Sequence, residues 1–211
     1  MNNPKQKHVS IPISDDDIRD LKIGDSVLLS GVMVTGRDTV HKWFKDTFIA
    51  KTTPLTELDE AIYPELKEIM RDGVIYHCGP VVSGLADKNY RFVAAGPTTS
   101  IREEVYQSDV MRHFNLKGVI GKGGMGLKTL AACQEIPAVY FHAIGGAASL
   151  IAETVKTVLG VYKLDFGVPE AIWVIRVEDF PVVVTMDSHG NSLHETVQEE
   201  SLTKLKTLLA R

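Results

Sequence analysis

Apolar positions along the chain fall into short runs separated by polar, glycine-bearing loops. Val9–Ile13 reads as a short strand. Ser14 then sits as a helix N-cap ahead of Asp15, Asp16 and Asp17, acids that suit the positive end of a helix that finishes near Gly24. Ser26–Thr35 (SVLLSGVMVT) is rich in β-branched residues and predicts a strand, which Gly36 breaks. Asp38–Phe48 reads as a helix and Lys51–Thr56 as a loop. Leu58, Ile62, Leu66, Ile69 and Met70 recur at helical spacing over Leu58–Met70, with Pro64 inside the run.

The rest of the chain continues in the same manner. Strands are expected at Val74–Cys78, Arg91–Ala95, Gly118–Ile120 and Ala138–His142, and a closing pair at Ala171–Val177 and Val182–Asp187. Helices are expected at Ile101–His113, Leu127–Gln134, Ala147–Thr157 and Glu195–Leu209. The last is amphipathic, with Val197, Leu202, Leu205 and Leu209 on or near one face. Strands and helices alternate between residues 90 and 160, which implies a parallel layer with crossover helices. No repeat or low-complexity linker interrupts the pattern, so one α/β domain over residues 1–211 is the expectation.

Composition narrows the function. A net charge of −4 argues against nucleic acid, whose partners carry a basic footprint. No apolar run approaches the roughly 20 residues that span a bilayer. The N-terminus has no apolar segment of a secretory signal, so a cytoplasmic chain is expected, without a membrane partner. Cys78 and Cys133 lie far apart and lack a C-x-x-C spacing, so reduced thiols are expected and no disulfide. Two thiols also cannot hold an iron–sulfur cluster alone.

Candidate chemistry gathers where predicted strands end. Four segments each lie between a strand and a helix: Thr35-Gly36-Arg37-Asp38 with His41 one turn on, Gly96-Pro97-Thr98-Thr99-Ser100 with Arg102, Gly121-Lys122-Gly123-Gly124-Met125-Gly126, and His142 with Gly145-Gly146. In α/β sheets, ligands collect at the carboxyl ends of strands, and backbone N–H groups there favour anions. Any one of Arg37, Arg102 and Lys122 taken alone is a solvated turn cation. Together, on three equivalent loops, they suit the two ends of a small dicarboxylate, with Thr98 and Thr99 adding hydroxyls. His41 is placed to reach that site or to support it from behind. His77 and His142, in apolar strands, read as satisfied core histidines, and His189 as part of a turn. Cys133 reads as buried and inert. No histidine pair has zinc-site spacing, so no metal ligands are assigned. The glycine loop lacks the Walker order, which weakens a nucleotide reading.

These segments, in this order, resemble the β subunit of two-subunit class I fumarases and L-tartrate dehydratases, a unit that forms the C-terminal domain of single-chain class I fumarases. The matching pieces are TGRDTVH (Thr35–His41), IYHCGPVV (Ile75–Val82), AAGPTTSIR (Ala94–Arg102), GVIGKGGMG (Gly118–Gly126), AIGGAA (Ala143–Ala148), GVPEAIWVIRVEDFP (Gly167–Pro181) and DSHGNSL (Asp187–Leu193). The resemblance implies a swivelling β/β/α domain like that of aconitases. It implies a hydro-lyase, active only with an α subunit that carries a 4Fe–4S cluster, in a hetero-oligomer of two α and two β subunits. By motif it assigns substrate binding to Arg37, Thr98, Thr99, Arg102 and Lys122, and the catalytic base to Thr98. The expected reaction is reversible hydration of fumarate to L-malate, a step of the tricarboxylic acid cycle. The alternatives are L-tartrate dehydration and a non-catalytic dicarboxylate-binding module. One departure is the stretch 45–72, longer than the family's usual connection and holding its own predicted helix.

Overall fold

The computed structural model describes residues 6–209. The expectations for the N-terminal leader and for the outermost ends of a 1–211 domain therefore lie partly outside the described residues.

The chain is mixed α/β. In order, it forms β1 (Lys7–Ile11), α1 (Asp15–Asp20), β2 (Ser26–Thr35), α2 (Asp38–Trp43), α3 (Glu57–Met70), β3 (Val74–Tyr76), β4 (Val81–Ser83), β5 (Arg91–Ala94), α4 (Glu104–Phe114) and β6 (Gly118–Gly121). There follow α5 (Leu127–Glu135), β7 (Val139–His142), α6 (Ala148–Thr154), β8 (Val155–Tyr162), β9 (Ile172–Met186) and α7 (Leu193–Leu209). Seven strands make one sheet in the order β1-β2-β3-β6-β7-β9-β8, and β4 and β5 make a separate antiparallel pair. β2, β3, β6 and β7 run parallel. Of the strands that alternate with helices between residues 90 and 160, β6 and β7 join this parallel layer as expected, whereas β5 pairs antiparallel with β4 outside it. β9 runs antiparallel to both β7 and β2, so the β2–β9 ladder joins the two ends of β2-β3-β6-β7-β9 into a closed ring.

Period-two alternation along these strands sorts residues into two cores. Val74, Tyr76, Ile120, Val139, Phe141, Trp173 and Ile175 point to one, with Ile151 and Ala152 of α6. Ile75, Val119, Tyr140, Ile172 and Val174 point to the other, under α2 to α5. Fully burying side chains of this size is worth about 1.5–3 kcal/mol each.

Local chemistry explains where the elements depart from the sequence pattern. β1 ends at Ile11 because Pro12 has no N–H to continue the ladder. The expected helix Asp38–Phe48 is α-helical only to Trp43 and continues as a π-helix, Phe44–Ile49. The wider turn lets Phe44 meet Phe114 at 4.8 Å while Phe48 stacks on Tyr63 at 4.4 Å. The helix expected over Ala147–Thr157 stops at Thr154, because the β-branched Val155-Lys156-Thr157-Val158 pairs with β9 as β8. The two closing strands are one, β9, which bends at Asp179 (φ +51°), whose N–H donates to Ser30 Oγ at 3.0 Å. A 3-10 turn, Ser100–Glu103, precedes α4.

The long stretch 45–72 does carry its own helix, α3, opened by a Thr56–Asp59 capping box. Leu66 and Met70 enter the second core. Lys163 fastens its start, 3.3 Å from Asp59 and 5.1 Å from the Trp43 ring. α7 is helical as expected, yet its apolar face is exposed: none of its residues is buried. No described helix is long and apolar enough to cross a membrane.

The turn after β9 is organised by Asp187. Its carboxylate, fully buried, accepts from the backbone N–H of Ile23, His189 and Asn191 and from Asn191 Nδ2. Burial alone would raise its pKa, but these donors outweigh it and hold the carboxyl below its usual range. A depressed carboxylate stabilises the fold above the unfolded pKa and loses that contribution as pH falls through the folded one. Asp187→Asn is expected to cost about 2–4 kcal/mol at neutral pH. The difference from the wild type should shrink below about pH 4, measured by urea unfolding at several pH values.

Candidate active site

The closed sheet brings the carboxyl ends of β2, β3, β6 and β7 to one edge. There the segment Pro97–Ser100 threads between the continuation of β3 and the end of β6. Thr98 N–H donates to the His77 carbonyl at 2.7 Å. Lys122 N–H donates to the Thr98 carbonyl at 3.2 Å, and Ser100 N–H to the Lys122 carbonyl at 3.1 Å. Thr98, Thr99 and Lys122 are thus tied together through backbone. Gly121 permits the approach, since a Cβ there would overlap Ser100 Oγ.

The arginines arrive from the β2 side. Arg37 caps α2 and its Nη1 lies 3.0 Å from Glu170 Oε1, both side chains about four-fifths buried. Its guanidinium rests on Gly79, where a Cβ would come within 2.7 Å of Nη1. Arg102, more exposed, pairs with Asp38, the residue next to Arg37. Arg102 thus pairs with the residue that follows Arg37 in the chain, while Arg37 itself pairs with Glu170. Lys122 has no ion-pair partner among the described residues. The structure thus places Arg37, Thr98, Thr99, Arg102 and Lys122 on loops at one edge of the sheet. A cleft of about 390 Å³ between α3 and β8, lined by Ile11, Val32, Ile69, Leu159 and Tyr162, holds none of them.

Several buried polar atoms at this edge have no protein partner: Thr98 Oγ1, Glu103 Oε2, Gln107 Nε2 and His142 Nδ1. Buried polar atoms are almost always paired, so such a cluster marks a place built for something other than stability. Glu103 is nearly inaccessible, and burial, with help from Asp38, pushes its carboxyl up to about 7, while Arg102 and Arg37 offset part of the rise. His142 departs from the expectation of a satisfied core histidine. It stands half-buried at the end of β7 with its ring 6.3 Å from His194, and burial lowers its pKa. His77 is fully buried and hydrogen-bonded, as expected.

His41 lies behind the site and not in it. Its ring is inaccessible, Nδ1 donates to the Arg37 carbonyl at 2.9 Å, and burial lowers its pKa. Glu104, Gln107 and Glu170 went unassigned in the sequence. Each acts across a long chain separation, and only the i+3 to i+4 spacing of Gln107 after Glu103 and Glu104, on one helix, hints at a shared role.

Neither cysteine suits an iron–sulfur cluster. Cys78 belongs to one core and Cys133 to the other, and burial pushes both thiols up to about 12, away from the thiolate that ligates iron. Among the described residues no group of three or more His, Cys, Asp or Glu side chains could hold a metal ion.

Three cations and two threonines lie at one edge of a closed α/β sheet, and the relatives of the chain define its family. The family described as Fumarase C-terminus matches residues 2–197. The chain is 48% identical over 194 residues to a putative fumarate hydratase class I of Geobacillus stearothermophilus, an alignment covering 92% of this chain and 34% of that protein. It is 36% identical over 199 residues to a putative L(+)-tartrate dehydratase subunit beta of Methanocaldococcus jannaschii, covering 93% and 95% of the two chains. It is 35% identical over 189 residues to the L(+)-tartrate dehydratase subunit beta of Escherichia coli (strain K12), covering 89% and 86%. The chain therefore spans about a third of the first relative and nearly all of the other two. It belongs to the fumarase C-terminus family, alongside fumarate hydratases of class I and β subunits of L-tartrate dehydratases.

The glycine loop is held from α4. Glu104 accepts from the backbone N–H of Gly126, Lys128 and Thr129 and from the Thr129 hydroxyl, capping α5 from outside. Glu104→Ala leaves these donors without their carboxylate. It is expected to cost about 1–3 kcal/mol in chemical unfolding and to speed amide exchange at Gly123–Gly126. Unchanged exchange there would separate Glu104 from the order of the Lys122 loop.

Proposed function

We propose that this chain is the β subunit of a two-subunit hydro-lyase that hydrates fumarate to L-malate and runs the reverse dehydration. The observation that carries the reading is the meeting of Arg37, Thr98, Thr99, Arg102 and Lys122 at one sheet edge, tied by the Thr98–Lys122 backbone bond. Cations at the two sides of the site suit two carboxylates, and a planar guanidinium offers each a two-point contact. We read the two-core, closed-sheet layering as the swivelling β/β/α type.

In this reading Arg37, Arg102 and Lys122 bind and orient the dicarboxylate, and Thr99 adds a hydroxyl. Thr98 Oγ1, buried and without a protein partner, acts in its ionised form as the base: the alkoxide takes the proton from carbon during dehydration, becoming the neutral hydroxyl that gives it back during hydration. A threonine hydroxyl is a weak base, and the positive charges of Arg37 and Lys122 favour its ionised form. A 4Fe–4S cluster held by an α subunit would supply Lewis acidity at the hydroxyl-bearing carbon's side of the substrate, since this chain's own thiols do not suit one. Exposed Ile101, Leu127, Ile144 and Leu150 flank the cation-bearing loops and suit burial against that subunit.

Higher identity to the fumarate hydratase favours fumarate. Near-complete alignment with the separate tartrate dehydratase β subunits supports the two-subunit arrangement and keeps L-tartrate as the second reading. Co-expression with the α subunit without oxygen, followed by assays of fumarate hydration and L-tartrate dehydration, tests both. The expected result is activity in the complex, with fumarate preferred, and an iron-free β chain when purified alone. A cluster-loaded complex inert to both compounds would sink the proposal.

Two variants separate the roles. Thr98→Val is expected to leave substrate binding near the wild type and to lower kcat by about a hundredfold or more. Arg102→Lys keeps the charge but loses the planar fork, so kcat/KM should fall about ten- to a hundredfold with the fold intact by circular dichroism. Normal turnover in Thr98→Val would move the base to the α subunit.

A further inference from the structure

Beneath the cation-bearing loops, two inaccessible imidazoles share one amide. The Gln107 side chain stands 2.9 Å from His41 Nε2 and 2.8 Å from His77 Nε2 through the same atom position, and its other amide atom has no protein partner. The rings meet edge to face at 5.0 Å. Beyond them, His77 Nδ1 lies 2.8 Å from Ser100 Oγ, and the Tyr140 hydroxyl donates to that same oxygen at 2.8 Å. All five side chains are fully buried. The chain of contacts runs from the Arg37 carbonyl, through His41, Gln107 and His77, to Ser100 beside Thr98 and Thr99.

A proton inventory decides how this chain is wired. The Arg37 carbonyl can only accept, so His41 Nδ1 carries a proton. If the shared amide atom were oxygen, both Nε2 atoms would have to donate. His41 would then be doubly protonated with no carboxylate in contact. The nearest acids, Asp38 and Glu170, already pair with Arg102 and Arg37, and His77 offers no negative charge. If the shared atom is nitrogen, its two hydrogens serve the two Nε2 lone pairs and both rings stay neutral. The oxygen then takes the place without a partner, and an under-satisfied carbonyl is more readily tolerated than an orphaned N–H. Amide oxygen and nitrogen occupy equivalent places, so the network makes the assignment. His77 Nδ1–H then donates to Ser100 Oγ, which also accepts from Tyr140. Burial lowers the pKa of both rings, in agreement.

We propose that Gln107 is a positioning residue of this site: its amide nitrogen donates to both rings, locks His41 and His77 as neutral Nδ1–H tautomers, and so fixes the Arg37 loop against the Thr98–Ser100 segment. The positioning role rests on the dicarboxylate reading; the tautomer assignment does not. The charged and titratable groups around His41 are Asp38, Glu170, Arg37 and His77, and those around His77 are His41 and, through Ser100, Tyr140.

Long-range proton–nitrogen NMR spectra of the 15N-labelled chain test the assignment without any substrate. The expected result is Nδ1–H and an accepting Nε2 on both rings, with no titration between about pH 5 and 8, where a free imidazole would change charge. In Gln107→Glu the carboxylate only accepts, so both Nε2 atoms become donors and His41 becomes an imidazolium at neutral pH. A doubly protonated His41 or Nε2–H tautomers in the wild type overturn the assignment. In the complex with the α subunit, Gln107→Leu should raise KM for L-malate about tenfold or more, the scale seen when a supporting contact behind a ligand group is removed. A wild-type complex that binds neither malate nor tartrate defeats the dicarboxylate reading and leaves the spectra to judge the tautomers. A wild type that binds while Gln107→Leu matches it defeats the positioning role. Should Gln107→Leu fail to fold, KM in Gln107→Glu decides: it must change along with the ring protonation.

Discussion

The ladder between β2 and β9 is the constraint on which the rest of the molecule depends. It runs nearly the length of β2, from Ser26↔Val183 to Val34↔Val174, and converts an open parallel sheet into a ring. An open sheet would leave β2 with one bare edge, its other side being held by β1 and β3. Closed, the ring fixes the end of β2 relative to those of β3, β6 and β7. Arg37, the Thr98 segment and Lys122 inherit their spacing from that closure.

A second layer of order lies just under the surface of the site. The segment Pro97–Ser100 is held by backbone bonds to residues on both flanks, and Glu104 reaches across to cap α5. These contacts place hydroxyls and cations without using their own functional atoms. Thr98 illustrates the division: its N–H and carbonyl are both bonded, while its hydroxyl is left over. Preorganisation of this kind is what a site needs if its binding groups are not to collapse onto each other before a ligand arrives.

The residues of the proposed site stand out in the sequence because they occupy glycine-rich turns at strand ends, where residue type and position speak together. The supporting residues were not. Gln107 meets His41 across 66 positions, and Glu170 meets Thr39 across 131, so no local pattern could pair them. Among the elements, β2 and the parallel core strands read correctly because their alternation is strong. The first three residues of β8 continue the expected helix Ala147–Thr157 because Val155 extends a helical period begun in α6, and pairing with β9 overrides it. β9 was split because Glu178, Asp179 and Pro181 look like a break, although β2 pairs across them through a bulge. His142 misled for a different reason. An apolar strand predicts burial of its middle, and the residue sits at the strand's end.

The acids that accompany the two arginines have a further consequence. In the dicarboxylate reading proposed above, Glu170 and Asp38 pair with Arg37 and Arg102 where a ligand's two carboxylates would meet them. Any incoming anion must therefore compete with a resident one of very high local concentration. A molecule with a single carboxylate displaces or shares one partner and gains little. A molecule with two, spaced to meet both arginines, engages both at once, and the second contact comes without a fresh cost of encounter. Selectivity for two-headed anions can thus arise from charges the protein already carries, by exchange of partners more than by attraction to an empty positive surface.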